Sequence, residues 1–368
     1  MSIVRPVFLA AILTLSAVFF FSVSLFAQKA PLRLGTIHNV TQLRSCPNGY
    51  LGGMTCYSGK VEKCQSDSDL GFTYGYQDPD GELAGTIVFH DGGGGTTPAL
   101  KNGKPTFDGT TYAEEYLNAG FRVIFVEWDS DWENSTNGNL GASIKDAACR
   151  PATLFNYLHE NYYVRGGMCG QGFSAGSAAV AYSLAWYGSS DYFDNVELLS
   201  GPVFSNIEEG CQVPLVPSVT VCPAGEYGCN GAGWPDPPQY VGGDQNLVGT
   251  WSGYNTCNQG KITSSQAQSA WKSMSIVDGT DNPSFSYPHT SMAGWLCSNI
   301  NTVQNNTAAE GDYFYLQFTD PSQTAGFSVT RIDHCDGVEG VTQGVTPQGE
   351  VGFDAISAHM IAACVSRH

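Results

Sequence analysis

The chain has 368 residues, with 34 acidic side chains against 16 basic ones and a formal net charge of −18. A field of that sign repels nucleic acid, acidic lipid headgroups and polyanions, which excludes them as partners. The length exceeds the needs of one small core and suits a single large α/β domain carrying an insertion, with a monomer expected.

The chain opens with Arg5 as a short positive region, followed by an apolar run to about Ala27, where small residues suggest cleavage. Residues 1–27 are therefore expected to be a signal peptide, and the protein to be secreted, extracellular or periplasmic, with no membrane attachment once the segment is removed. An uncleaved anchor is the alternative. All twelve cysteines lie beyond this segment, an even number in an exported chain, which points to disulfides. No CxxC pair and no Cys/His cluster at zinc spacing occurs, so no metal and no other cofactor is expected.

An α/β pattern begins at residue 70. Residues 70–77 (LGFTYGYQ) form a predicted strand, and 85–90 (GTIVFH) an apolar, β-branched one that runs into Asp91-Gly92-Gly93-Gly94-Gly95. A helix is predicted near 110–119, a buried strand over 121–128 (FRVIFVEW), and a helix over 142–162 that Pro151 either kinks or begins. Asp129, Asp131 and Glu133, just after the second of these strands, read as a solvated turn rather than a calcium site. Residues 166–172 (GGMCGQG) must form the next strand although glycine makes them poor strand formers. A helix over 175–188 and a strand over 195–202 follow.

Residues 205–311 change character, being rich in Gly, Pro, Asn and Ser, with Trp234, Trp251, Trp271 and Trp295 and one short predicted helix at 264–274. A structureless stretch of this length is unusual within a compact domain, so a disulfide-braced cap is expected. The sheet pattern then resumes with predicted strands at 312–320 (DYFYLQFTD) and 327–334 (FSVTRIDH), and a closing helix at 350–365. The expected organisation is a signal peptide over 1–27, a first core segment over 28–204 that includes a Cys-rich N-terminal part, a cap over 205–311, and a last core segment over 312–368.

Within the 170–179 stretch, Gly172-Phe173-Ser174-Ala175-Gly176 fits G-x-S-x-G, a strand-to-helix turn that lifts a serine hydroxyl to where a base can deprotonate it. His90-Asp91-Gly92-Gly93-Gly94-Gly95 is similar to the HGGG-type loop of lipases and esterases, whose backbone amides stabilise an oxyanion. On these two motifs, with an acid and a histidine after later strands, the chain resembles the α/β-hydrolase superfamily from about residue 70 onward. The resemblance implies a mostly parallel, doubly wound sheet with a cap insertion. It also implies Ser174 as nucleophile, Asp320 as orienting acid, His334 as base, and an oxyanion hole from Gly92, Gly93 and Ala175. Asp91 departs from the family's usual glycine and leaves open which of Gly92 and Gly93 points inward. Asp333, Asp336, Glu208 and Glu209 are competing acids, and a Cys335–Cys364 bridge is a conjectured brace for the histidine loop.

The expected activity is a carboxylesterase acting on neutral small-molecule or polymeric esters, such as acyl groups on plant polysaccharides or phenolics. Alternatives are a polyester depolymerase, a serine peptidase, or a non-catalytic glycan-binding or structural module on a hydrolase scaffold.

Overall fold

The apolar runs 85–90 and 121–128 carry side chains suited to burial on both faces, and each becomes a central strand. In the computed structural model, which describes residues 30–64, 69–98, 106–107, 110–133, 144–207, 269, 272–277, 283–298, 304–335 and 340–367, β1 (Thr36–Gln42), β2 (Thr55–Glu62) and β3 (Leu70–Gln77) lead into β4 (Gly85–His90). A separate two-stranded ribbon, β5 (Thr106–Phe107) with β6 (Thr110–Thr111), precedes α1 (Tyr112–Asn118) and β7 (Phe121–Trp128). Then come α2 (Ile144–Ala147), α3 (Cys149–Tyr162), β8 (Met168–Phe173), α4 (Ala175–Tyr187) and β9 (Asn195–Leu199). Further along the chain come β10 (Tyr287–Cys297), α5 (Gln304–Tyr315), β11 (Thr324–Ile332) and α6 (Gly352–Ala363).

Nine strands make one sheet in the order β1-β2-β3-β7-β4-β8-β9-β10-β11. The pairs from β1 to β7 are antiparallel, and those from β7 to β11 are parallel. Alternation along the central strands feeds two cores. Val88, Ile124 and Val126 face α3, α4 and α5, whereas Ile87, Phe89, Val123 and Phe125 face α1 and α6. This is the doubly wound arrangement expected from the sequence. The strand 166–172, weak by propensity, forms as β8 because β4 and β9 supply ladders on both sides. Pro151 stands at the third position of α3 and begins the helix rather than kinking it.

Two expectations fail together. Residues 312–320 are not a strand: α5 runs to Tyr315, and turns follow. The strand in that place of the sheet is β10, inside the segment 205–311 expected to be cap, so 287–297 belongs to the sheet, and most of 205–286 lies outside the described residues. Tertiary packing explains the exchange. A Cβ on Gly294 of β10 would stand 2.6 Å from the Tyr315 hydroxyl, so the bare strand lets α5 lie close, and that hydroxyl then donates to the Gly201 carbonyl at 2.7 Å. The aromatic residues that read as a strand, among them Phe314 and Tyr315, are buried from a helix instead.

Four disulfides, Cys46–Cys56, Cys64–Cys149, Cys169–Cys364 and Cys297–Cys335, pair every cysteine among the described residues. The conjectured Cys335–Cys364 bridge is therefore replaced by two others: Cys335 ties the last loop to the end of β10, and Cys364 ties α6 to β8. Cys211, Cys222, Cys229 and Cys257 lie outside the described residues. Among the described residues, no helix is long and apolar enough to cross a membrane.

A polar brace crosses the α6 face. Buried Glu197 of β9 accepts from Gln171 Nε2 of β8 at 3.0 Å and meets His359 Nδ1 of α6 at 2.8 Å, while Gln171 Nε2 also donates to the Tyr116 hydroxyl at 2.9 Å. The carboxylate raises the His359 pKa and so favours the imidazolium. Replacing Glu197 by Ala removes the acceptor of buried Gln171 and the partner of half-buried His359, and urea denaturation should record a loss of about 1.5 kcal/mol.

Candidate active site

β4 has β7 on one side and β8 on the other, so the direction of winding reverses between β4 and β8, and ligands of open α/β sheets bind beyond the carboxyl ends of strands at such a point. The two glycine-rich motifs meet there. In the ladder, His90 lies opposite Gly172, which sets the loop starting at Asp91 beside the turn at Ser174.

Ser174 joins β8 to α4 with φ 52° and ψ −117°, a conformation that is costly for a residue bearing a Cβ. The surrounding contacts hold it there. A Cβ on Gly172 would sit 2.7 Å from Ser177 Cα and collide with the Gly176 carbonyl, and one on Gly176 would sit 2.6 Å from the Asp91 carbonyl oxygen and collide with that of His90. Both fixed glycines of G-x-S-x-G are thus steric requirements of backbone packed on backbone. Ser174 N–H donates to the Leu199 carbonyl at 2.8 Å, and the Ser177 hydroxyl donates to the Ser174 carbonyl. Ala175 opens α4, so its amide has no carbonyl of its own helix to meet and carries the positive end of the helix dipole.

The loop after β4 is braced from beneath. His90 is only 2% exposed, and its Nε2 accepts from the Trp128 indole N–H at 2.9 Å. Indole only donates, so the ring proton sits on Nδ1, which reaches the Asp91 carbonyl at 3.0 Å. Burial pushes the His90 pKa down to about 4. The Asp91 carboxylate takes the Gly92 N–H at 2.7 Å and the Thr97 hydroxyl at 2.6 Å. Gly92 lies directly beside the serine, since a Cβ on it would be 3.1 Å from Ser174 Cβ. Its amide nevertheless points to Asp91. Gly93 has φ 55° within a turn closed by Gly95 N–H to the Gly92 carbonyl at 3.2 Å, and its own amide has no partner among the described residues. Phe89, Tyr112, Phe173 and Leu199 line a small, largely apolar hollow beside this loop.

His334 follows β11 and so stands on the same rim of the sheet as Ser174, three strand spacings away, about 14 Å. It is exposed, with φ 59°, and no hydrogen bond joins it to Ser174. Its neighbours are fixed: Asp333 exchanges backbone bonds with Val345 at 2.8 Å each way, Cys335 is bridged to Cys297, and the Ser298 hydroxyl donates to the Asp333 carboxylate. Asp320 is elsewhere. It caps the short turn before β11, accepting from Ser322 N–H at 2.8 Å, and that hydrogen bond lowers its pKa. β11 has nine residues and runs parallel to its neighbours, so Asp320 is about 30 Å away on the opposite rim and does not join Ser174 and His334. The error follows from the strand misassigned to 312–320, which put the wrong end of the chain segment at the site. Glu208, Glu209 and Asp336 lie outside the described residues.

The solvated turn at 129–133 also needs correction. Asp129 and Asp131 are exposed, but Glu133 turns inward to 1% exposure, and burial together with the Asp131 charge raises its pKa. The residues missed by sequence reasoning are Trp128 and Thr97. Neither has a chemical signature of its own, and only the fold shows that one fixes the His90 tautomer and the other anchors Asp91.

No protein-family model matches the sequence, and a search of curated proteins gives no match. Among solved structures, the chain is similar to a hyperthermophilic esterase from the archaeon Pyrobaculum calidifontis, at 15% identity over 90% of this chain and 88% of that one, TM-score 0.45. A fungal esterase from Rhizomucor miehei is similar at 14% identity, 89% and 85% coverage and TM-score 0.44. A bacterial heroin esterase is similar at 12%, with 85% and 84% coverage and TM-score 0.42.

The His90 brace has a pH signature. An unfolded imidazole binds a proton near pH 6.5 and the folded one only near 4, so stability present above pH 6.5 is lost as pH falls through that window. Between pH 7.5 and 4.5 the native protein should lose about 2.5 kcal/mol more than His90→Gln, measured by urea denaturation at each pH.

The strand order, the strained serine between β8 and α4, the glycine loop packed on it and the histidine after the last strand give this chain the α/β-hydrolase fold.

Proposed function

We propose that the protein is a secreted serine hydrolase, a carboxylesterase that cleaves neutral esters through an acyl-enzyme. The observation that carries the proposal is Ser174 itself, held at φ 52° with a glycine loop against it. A non-catalytic scaffold has no need to keep a strained serine at a topological switch point, which disfavours the binding-module reading.

Ser174 Oγ attacks the ester carbonyl carbon while His334 takes its proton, and the carbonyl oxygen becomes an oxyanion stabilised by backbone amides of the glycine loop and Ala175. Collapse breaks the bond to the alcohol, which leaves with the proton from His334. Water then attacks the acyl-serine by the same route and releases the acid. In this reading His334, on the loop after β11, is the base, with Asp333, Asp336, Glu208 or Glu209 as the orienting acid. The strong net negative charge favours neutral substrates over anionic ones.

A fluorophosphonate probe should label Ser174 in the folded protein. Ser174→Ala should lower kcat for p-nitrophenyl acetate by at least about 10³-fold without loss of fold. Asp320→Ala should leave kcat/KM within about twofold, since Asp320 is an exposed cap on the far rim.

A further inference from the structure

Four consecutive glycines have more backbone freedom than any other tetrapeptide, yet an oxyanion hole works only if its amides are fixed before the reaction. The far end of the tract is held by main chain, since the Gly94 and Gly95 carbonyls accept from Trp132 and Trp128 N–H at 2.9 and 2.8 Å, and the near end is held by the Asp91 side chain. Asp91 Oδ1 accepts the Gly92 N–H at 2.7 Å, and Asp91 Oδ2 accepts the Thr97 hydroxyl at 2.6 Å, so a single carboxylate spans the glycine tract from its first residue to the second residue beyond its end. The peptide between Asp91 and Gly92 is held from its other side as well, because its carbonyl meets His90 Nδ1 at 3.0 Å and lies against Gly176 at the start of α4. With the carbonyl facing α4, the N–H of the same planar peptide faces the opposite way.

We propose that Asp91 is a positioning residue of the oxyanion hole: its carboxylate turns the Gly92 amide away from Ser174 and leaves the Gly93 and Ala175 amides as the pair that meets the oxyanion. The proposal rests on the hydrolase reading above and adds to it a choice of donor and a reason for aspartate in a position where similar loops carry glycine. The amide inventory agrees. Gly92 N–H is engaged by Asp91, whereas Gly93 N–H has no partner among the described residues, and Ala175 N–H has none within α4. Asp91 touches no reacting atom, so its loss acts through the loop.

The test begins with fluorophosphonate labelling of the native protein: an unlabelled Ser174 overturns the hydrolase reading and the present proposal with it. With labelling established, kcat and KM for p-nitrophenyl acetate and the inhibition constant of phenylboronic acid, which forms a tetrahedral adduct on serine, are measured for the native protein, Asp91→Gly, Asp91→Asn and Thr97→Val. Asp91→Gly should lose about 100-fold in kcat with KM within about threefold, and boronate affinity should fall in parallel with kcat. Asp91→Asn keeps an acceptor for Gly92 N–H and should recover at least about tenfold of that loss. Thr97→Val should fall between the native protein and Asp91→Gly. A folded Asp91→Gly with kcat within about threefold of native overturns the proposal and leaves the hydrolase reading intact. Equal losses in Asp91→Gly and Asp91→Asn also overturn it, because they make the charge rather than the anchor responsible. If circular dichroism shows that Asp91→Gly does not fold, Thr97→Val decides, and native kcat and boronate affinity in that variant overturn the proposal.

Discussion

The end of the sheet that carries Ser174 depends on one contact, the packing of main chain on main chain where the loop after β4 crosses the first turn of α4. No side chain fits between Gly176 and the His90 and Asp91 carbonyls, or between Gly172 and the Gly176 carbonyl. Excluding Cβ atoms at these two positions lets the turn close tightly, and the tight turn forces Ser174 into a positive φ. The winding of the sheet decides that this happens between β4 and β8, where crossovers diverge to opposite faces and leave a crevice.

Buried polar groups hold that contact in register from both sides of the sheet. On the α3/α4 face, Trp128 fixes the tautomer of His90, and His90 in turn fixes the Asp91 carbonyl. On the α6 face, Glu197 joins β8, β9 and α6 through Gln171 and His359, and the Cys169–Cys364 bridge ties the same helix to the same strand. The strand that carries the serine is thus fastened to its neighbours by ladders, by a charged brace and by a covalent link. This compensates for a sequence, MCGQGF, with little intrinsic preference for a strand.

Much of this was legible beforehand, for a physical reason that differs from element to element. β4 and β7 were readable to the residue because strands buried on both faces need unbroken apolar runs. The turn at Ser174 was readable because close backbone approach demands glycine at fixed spacing. β10 and α5 were not. YPHTSMAGWLC carries proline, histidine and glycine and hides its strand character, while the aromatic stretch after residue 311 has strand propensity but is buried from a helix. That single exchange placed the expected acid on the far rim, since Asp320 follows α5 rather than the C-terminal end of a strand.

The sequence by itself determined the fold class, the turn at Ser174 and the place of the glycine loop, because each rests on local sterics that residue types at fixed spacing impose. Tertiary structure alone decided which face Gly92 turns to, which histidine is a neutral brace and which stands on the rim, and which cysteines join. Those outcomes depend on partners distant in the chain: Trp128 for His90, Val345 and Cys297 for the loop of His334, and Gly201 for Tyr315. Local spacing carries no record of such meetings, because they follow from strand order and the approach of one layer to the next.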